Sequence, residues 1–102
     1  MIKINVKKNK NTIYQITIKG HANYDEFGKD IVCAAVSTMA ITTTNAIISL
    51  DESIDCIEKN GMLDIKVLKD TEVNKKLLDN MLKMLEELEQ EYPKNIKIRN
   101  EE

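Results

Sequence analysis

Apolar and polar residues alternate in two segments near the start of the chain, residues 2–6 and residues 14–18. A period of two places apolar side chains on one face of a β-strand. The polar residues 8–12 between the two segments are typical of a turn. The pattern therefore predicts an antiparallel hairpin with one buried face.

A helical pattern follows in residues 31–50, which contain no charged side chain. Apolar residues recur here at three-, four- and seven-residue steps, and we expect this stripe to pack on the sheet. Asp30 stands immediately before it and is a good N-cap candidate. The stripe consists of Val32, Val36, Met39, Ala46 and Leu50.

A second side of the same helix is also uncharged. It carries small or polar residues in line with Cys33, with further apolar residues beside them: Ser37, Ala40, Ile41, Thr44 and Ile48. A sheet can cover one side, and the same helix of a second subunit can cover the other, so we expect a homodimer.

The uncharged stretch 31–50 is long enough to cross a membrane. Its many Ser, Thr and Asn residues argue against a span, and we expect no membrane partner.

The second half of the chain predicts a second hairpin, a second helix and a last short strand. Segments 54–59 and 63–68 flank Asn60-Gly61, which is a strong hairpin signal. Thr71 can cap a helix over 72–90, and a short strand follows near 96–98. We predict an α+β fold, a single compact domain over 1–102 with two helices packed with a mainly antiparallel sheet. The apolar stripe of the second helix comprises Val73, Leu77, Leu78, Met81, Leu82, Met84, Leu85 and Leu88.

Composition narrows the possible functions. The chain has 102 residues, with 15 basic and 17 acidic side chains and a net charge of −2. Direct nucleic-acid binding is disfavoured because no basic excess or stripe is evident. Two cysteines without a CxxC pair, and no secretory signal, suggest a reduced, cytoplasmic protein. One His and one Cys are too few for a closed zinc site, so we expect no metal and no cofactor.

His21 is the only histidine, and one loop separates it from Cys33. A thiol and an imidazole are the minimum set for cysteine-based nucleophilic catalysis. The start of a helix stabilises a thiolate, and its N–H groups can also bind an oxyanion. Ser37 can add a hydroxyl one turn later. Asp30 can orient the imidazole or cap the helix.

Each of these residues also has a purely structural interpretation. A cysteine on an uncharged helix is usually a small buried hydrophobe, and Cys56, within a strand, is interpreted in that way. A histidine after a glycine is usually an exposed loop residue, and Ser37 can bond to its own helix. Residue types alone favour these structural interpretations over catalysis.

A longer motif changes that balance. Gly-His-Ala at 20–22, Phe-Gly at 27–28 and Asp-Ile-Val-Cys-Ala-Ala-Val-Ser at 30–37 closely resemble the bacterial ribosomal-processing cysteine protease family known as Prp. The early hairpin, residues 45–47 and the acidic second helix extend the resemblance over most of the chain. The motif is far more restrictive than an isolated Cys–His pair, so the catalytic interpretation becomes the favoured one.

The resemblance implies a small homodimeric cysteine endopeptidase that removes the N-terminal extension of a large-subunit ribosomal protein. At the matching positions Cys33 is the nucleophile, His21 the general base and Asp30 the supporting acid. Residues 22–29 are expected to form a mobile cover over the substrate. The positions expected to contact substrate or act as hinges are Gly20, Ala22, Phe27, Gly28 and Ser37.

Two other classes of protein remain open at this point. One is a non-enzymatic, ribosome-associated module that holds a peptide in the same groove without cutting it. The other is a thiol redox sensor, for which Cys56 is the candidate resolving thiol. Peptide cleavage distinguishes the protease from the binding module, and thiol titration with mass spectrometry after mild peroxide tests for the redox sensor.

Overall fold

The computed structural model describes residues 1–21, 25–26 and 30–102. Within these residues the chain follows the predicted order β-β-α-β-β-α-β and forms a single α+β domain. The elements are β1 (Ile2–Asn9), β2 (Thr12–Lys19), α1 (Ile31–Asp51), β3 (Ile54–Lys59), β4 (Met62–Val67), α2 (Glu72–Glu91) and β5 (Ile96–Glu101).

The strands form one five-stranded sheet in the order β3-β4-β2-β1-β5. Neighbouring strands are antiparallel except β1 and β5, which run parallel with Ile2 opposite Ile96. The mainly antiparallel sheet is therefore confirmed, with one parallel pair at the β5 edge. The crossover through α2 brings β5 to that edge in the same direction as β1.

Two tight turns join the hairpins, as the sequence predicts. Lys10 and Asn11 connect β1 to β2 with φ values of 52° and 64°. Asn60 and Gly61 connect β3 to β4 with φ values of 50° and 73°. Positive φ at both central residues matches the twist of the flanking strands, which explains why these short turns close the hairpins.

The core lies between one face of the sheet and the two helices. Ile4, Val6, Ile16 and Ile65 are fully buried on that face, and Leu85 of α2 is fully buried against the sheet. The other face of β1 and β2 carries polar and charged residues, because alternate side chains point away from the helices.

The buried side of α1 differs from the predicted stripe. Leu50 is 66% exposed, and the helix instead uses the small residues Ala40 and Thr44 at buried positions. The buried line advances from Val36 to Ala40 and Thr44 in four-residue steps, whereas the predicted stripe followed the larger side chains Met39 and Leu50 on a neighbouring side of the helix. The buried residues are Val32, Val36, Ala40, Thr44 and Ile47.

Outside that line, α1 exposes an uncharged surface that includes Ile41 and Ile48, which are 44% and 38% exposed. By length and composition α1 is also apolar enough to cross a membrane, a test that core helices of soluble proteins pass as well. One side of α1 packs on the sheet and α2, and the exposed side is available to a second partner.

In α2 the structure places most of the predicted apolar stripe in or against the core, but Met84 is 42% exposed and was wrongly assigned to it. Asn74 takes a buried position that the apolar pattern does not predict. Its side-chain amide donates hydrogen bonds to the Ser53 hydroxyl and the Lys69 carbonyl, both at 2.8 Å. These bonds compensate for the burial of a polar group.

Candidate active site

A groove of about 320 Å³ opens where the start of α1 meets the end of β2 and the β3–β4 turn. Cys33 and Ser37 line it from α1, and Gly20 and His21 line it from the end of β2. The remaining wall is largely apolar and includes Ile2, Ile18, Val36, Ile41, Met62 and Leu63. The groove therefore combines a thiol and an imidazole with surfaces suited to apolar side chains.

His21 and Cys33 lie at opposite ends of the segment that connects β2 to α1. The fold brings both residues to the same groove. His21 follows directly after β2 and is exposed, while Cys33 lies in the first turn of α1 and is half-buried. Because β2 ends and α1 begins at the same end of the sheet, the side chains of His21 and Cys33 both line this groove. A thiol and an imidazole are the two groups that cysteine-based acyl transfer uses, and both line this groove.

Gly20 has a specific steric role beside His21. Its φ is +95°, and an added Cβ would lie 2.5 Å from the carbonyl oxygen of Met1. The end of β2 therefore passes so close to the start of β1 that only glycine fits. This packing requirement accounts for the glycine of the Gly-His pair, and a hinge at Gly20 stays a prediction.

Asp30 is the N-cap of α1, as predicted. Its Oδ1 accepts hydrogen bonds from the backbone N–H groups of Val32 and Cys33, both at 3.0 Å. Its carbonyl accepts the next N–H, that of Ala34, at 3.1 Å. The N–H groups nearest the thiol are thus bound to Asp30, so the predicted oxyanion donors at the helix start are occupied in this structure.

Cys56 lies on β3, packs against the core and forms no disulfide with Cys33. Burial raises the pKa of the Cys56 thiol, while a hydrogen bond with the Thr44 side chain acts in the opposite direction. A raised pKa lowers the thiolate fraction, which is the reactive form. These features fit the core interpretation and disfavour Cys56 as the resolving thiol of a redox sensor.

Ser37 is exposed and lines the same groove as Cys33. Gly20 also lines it. The proposed substrate contacts at Ala22, Phe27 and Gly28, and most of the predicted cover 22–29, lie outside the described residues.

Sequence reasoning missed the wall formed by the β3–β4 hairpin. Glu58, Gly61, Met62 and Leu63 all line the groove. The Asn60-Gly61 signal predicts the turn, but not that its tip reaches the start of α1, because that contact depends on the strand order of the whole sheet.

A second, more open depression of about 610 Å³ adjoins the groove and shares Gly20 and His21 with it. Three lysines line it: Lys3, Lys19 and Lys59. The groove is thus bordered by a positively charged surface on the side of β1 and β2. Within the described part of the chain, no cluster of three His, Cys, Asp or Glu residues could hold a metal ion.

Comparison with known proteins gives consistent matches over the whole fold. The family model described as Cysteine protease Prp matches residues 1–97. The ribosomal processing cysteine protease Prp of Staphylococcus aureus is 31% identical over 103 residues, covering 96% of this chain and 97% of that protein. The Bacillus subtilis protein of the same name is 31% identical over 94 residues, covering 84% of each chain.

A solved structure extends these matches to three dimensions. The crystal structure of the essential ribosomal processing protease Prp from S. aureus, in complex with a covalently linked product peptide, superposes with a TM-score of 0.94 at 30% identity. The alignment covers 99% of this chain and all of that one.

Proposed function

The chain belongs to the cysteine protease Prp family, and from this membership we propose that it removes the N-terminal extension of a large-subunit ribosomal protein. Membership of this family identifies the chain as a cysteine protease. This favours an enzyme over a non-enzymatic binding module. The observation that carries the residue assignment is the meeting of Cys33 and His21 in one largely apolar groove. A hydrophobic or aromatic peptide segment suits those walls.

In the proposed acylation step, the Cys33 thiolate attacks the carbonyl carbon of the scissile bond and forms a tetrahedral intermediate. The C–N bond then breaks, and the imidazolium of His21 gives its proton to the leaving amine. The N-terminal fragment remains attached to Cys33 as a thioester.

In the proposed deacylation step, neutral His21 takes a proton from water as the water oxygen attacks the thioester carbonyl. The C–S bond breaks, and the fragment leaves as a carboxylic acid, which releases its proton to solvent and becomes a carboxylate. Cys33 returns to the thiolate and His21 to the imidazolium, so the cycle needs no cofactor.

Asp30 supports this chemistry through the helix that carries the nucleophile. Its Oδ1 holds the N–H groups of Val32 and Cys33, which fixes the first turn of α1. We propose an additional role for the other carboxylate oxygen of Asp30, which orients the imidazole of His21. Binding of the oxyanion by the N–H of Cys33 then requires the Asp30 carboxylate to shift when substrate enters.

The uncharged outer side of α1 supports a homodimer. Ile41 and Ile48 are both exposed there although the helix carries no charge before Asp51. The same helix of a second subunit would bury this side across a two-fold axis. A cytoplasmic location is proposed with it, since the reaction needs a reduced thiol and a ribosomal substrate.

The proposal is tested by incubating the protein with the N-terminal peptide of the extended ribosomal protein and mapping the products by mass spectrometry. We expect one cut, and its loss in Cys33→Ala and in His21→Ala. Cys56→Ser is the matched control, because it removes the other thiol, and should retain cleavage. Cleavage by Cys33→Ala at the wild-type rate would contradict the mechanism, and binding without cleavage by the wild type would favour the binding module.

A further inference from the structure

Glu58 is the only carboxylate among the described residues that line the groove. The walls around it are mainly aliphatic, with His21, Cys33 and Ser37 as the other polar side chains. A negative charge placed in such a surface is an unusual feature, since a groove for apolar peptides does not need one.

The strand pattern explains why this carboxylate faces the groove. Ile54 is buried and Cys56 half-buried on the helix-facing side of β3, and alternation puts Glu58 on that same side. Glu58 pairs with Leu63 of β4, which also lines the groove. The side chain therefore stands at the end of the edge strand, where the core ends and the groove begins.

The Glu58 carboxylate has no ion-pair or hydrogen-bond partner among residues 1–21, 25–26 and 30–102 of the structure. It is exposed, so water solvates it in the unoccupied groove. A peptide that fills the groove removes part of that water. A peptide therefore binds tightly only if it supplies a compensating cation or hydrogen-bond donor to the Glu58 carboxylate.

From this arrangement we propose that Glu58 is a specificity-determining residue that receives a lysine or arginine side chain of the peptide substrate. The inference rests on the proposed function, because it names one feature of the peptide bound in that groove. A basic side chain can lay its aliphatic stem along Met62 or Leu63 while its charged end reaches the Glu58 carboxylate. An acidic side chain at the same place would be repelled.

The lysines beside the groove strengthen this selection. Lys3, Lys19 and Lys59 line the adjoining depression, so a cationic side chain is disfavoured there and favoured at Glu58. The charge difference across the site thus gives a bound peptide a preferred placement. Electrostatic pairs of this kind contribute more to selection and placement than to total affinity.

The test uses hydrophobic peptides in which one lysine is moved along the sequence, each paired with the same peptide carrying glutamine or glutamate there. Binding is measured by fluorescence anisotropy on the Cys33→Ala protein, and cleavage on the protein with Cys33 intact. Each is repeated with Glu58→Gln, which removes the charge at nearly constant size, and with Glu58→Lys, which reverses it. Asp55→Asn is the matched control, because Asp55 lies on β3 and is exposed outside the groove lining.

We expect the protein with Glu58 to prefer lysine over glutamine at one position by about tenfold in binding and in kcat/KM. Glu58→Gln should abolish that preference, so that the lysine and glutamine peptides are bound and cut equally well. Glu58→Lys should shift the preference towards glutamate, and Asp55→Asn should change nothing.

The outcomes separate this inference from the proposed function. Binding that depends on Glu58 without any cleavage would overturn the protease assignment and leave the inference standing. Cleavage with the same lysine preference in Glu58→Gln, or with no preference at any position, would overturn the inference alone. A protein that neither binds nor cuts any of the peptides would overturn both.

Discussion

At the residue scale, Asp30 links the start of α1 to the proposed chemistry of the site. Its carboxylate caps α1 through two N–H groups, one of which belongs to Cys33 itself. A substitution that removes the carboxylate therefore changes both the stability of the helix start and the environment of the Cys33 thiol. Asparagine separates the two effects, because it is an equally good N-cap without a charge.

We predict that Asp30→Asn keeps the melting temperature close to the original, whereas Asp30→Ala lowers the free energy of unfolding by about 1 kcal/mol. If the charge also orients His21, Asp30→Asn lowers kcat by tenfold or more. Thermal unfolding and peptide-cleavage kinetics on the same preparations measure the two quantities. Unchanged kcat in Asp30→Asn would restrict Asp30 to capping.

A second residue-scale prediction concerns Gly20 and uses Gly61 as its matched control. Both have positive φ, +95° and +73°, but a Cβ at Gly20 meets the Met1 carbonyl oxygen whereas one at Gly61 meets no atom within 4 Å. Gly61→Ala should cost about 1 kcal/mol of backbone strain. Gly20→Ala should cost more, about 2–4 kcal/mol, because the strands must also separate. Urea denaturation measures both, and equal losses would contradict the steric role.

At the element scale, the sequence predicts the existence of each strand and helix better than it predicts which face of each element is buried. Alternation in β1 and the Asn60-Gly61 turn are local signals and are confirmed. The buried side of α1 is not local, because it depends on Ala40 and Thr44 fitting closely against neighbouring elements. Small residues carry little hydrophobic signal, so a pattern that weights large side chains selects Leu50 instead.

The pairing of β1 with its two neighbours places like-charged side chains opposite each other, which should destabilise the sheet at that position. Lys3 lies opposite Lys19 on one side and Lys97 on the other, whereas Lys7 lies opposite Glu101. Like charges on paired residues destabilise a sheet, and opposite charges stabilise it.

We therefore predict that Lys3→Glu raises the free energy of unfolding by about 0.5 kcal/mol and that Lys7→Glu lowers it by a similar amount. Both substitutions make the same change on one strand, so propensity and net charge are matched. Denaturant unfolding at low and high salt measures the effect, which should shrink as salt screens the charges. Equal shifts in the same direction would rule out the pairing as the cause.

At the scale of the whole molecule, the site depends on contacts between distant parts of the chain. The Cys–His pair could be predicted because both residues belong to one motif, between 20 and 37. The wall formed by Glu58 and Met62 could not, because it depends on β4 pairing with β2 and not with another strand. The parallel pairing of β1 with β5 is a second feature that no local pattern indicates.

The proposed homodimer gives a prediction at this scale. Ile48→Lys should place a charge within the uncharged outer side of α1 and shift the protein to a monomer, because an unpaired charge is costly in an interface. Ile57→Lys is the control, since Ile57 is 46% exposed but lies on the face of β3 that points away from the helices. Light scattering after size exclusion gives the mass of each variant. A wild-type monomer, or a dimer in Ile48→Lys, would contradict α1 as the interface.

The close approach of Met1 to Gly20 has a practical consequence for experiments with this protein. Met1 lines the depression that adjoins His21, so any purification tag fused ahead of it would emerge beside the active-site groove. Glu102 lies at the other end of β1, where its carboxylate accepts a hydrogen bond from the Asn11 N–H. The eight residues of β1 place the two ends about 25 Å apart, so tags and surface-immobilisation handles belong at the C-terminus.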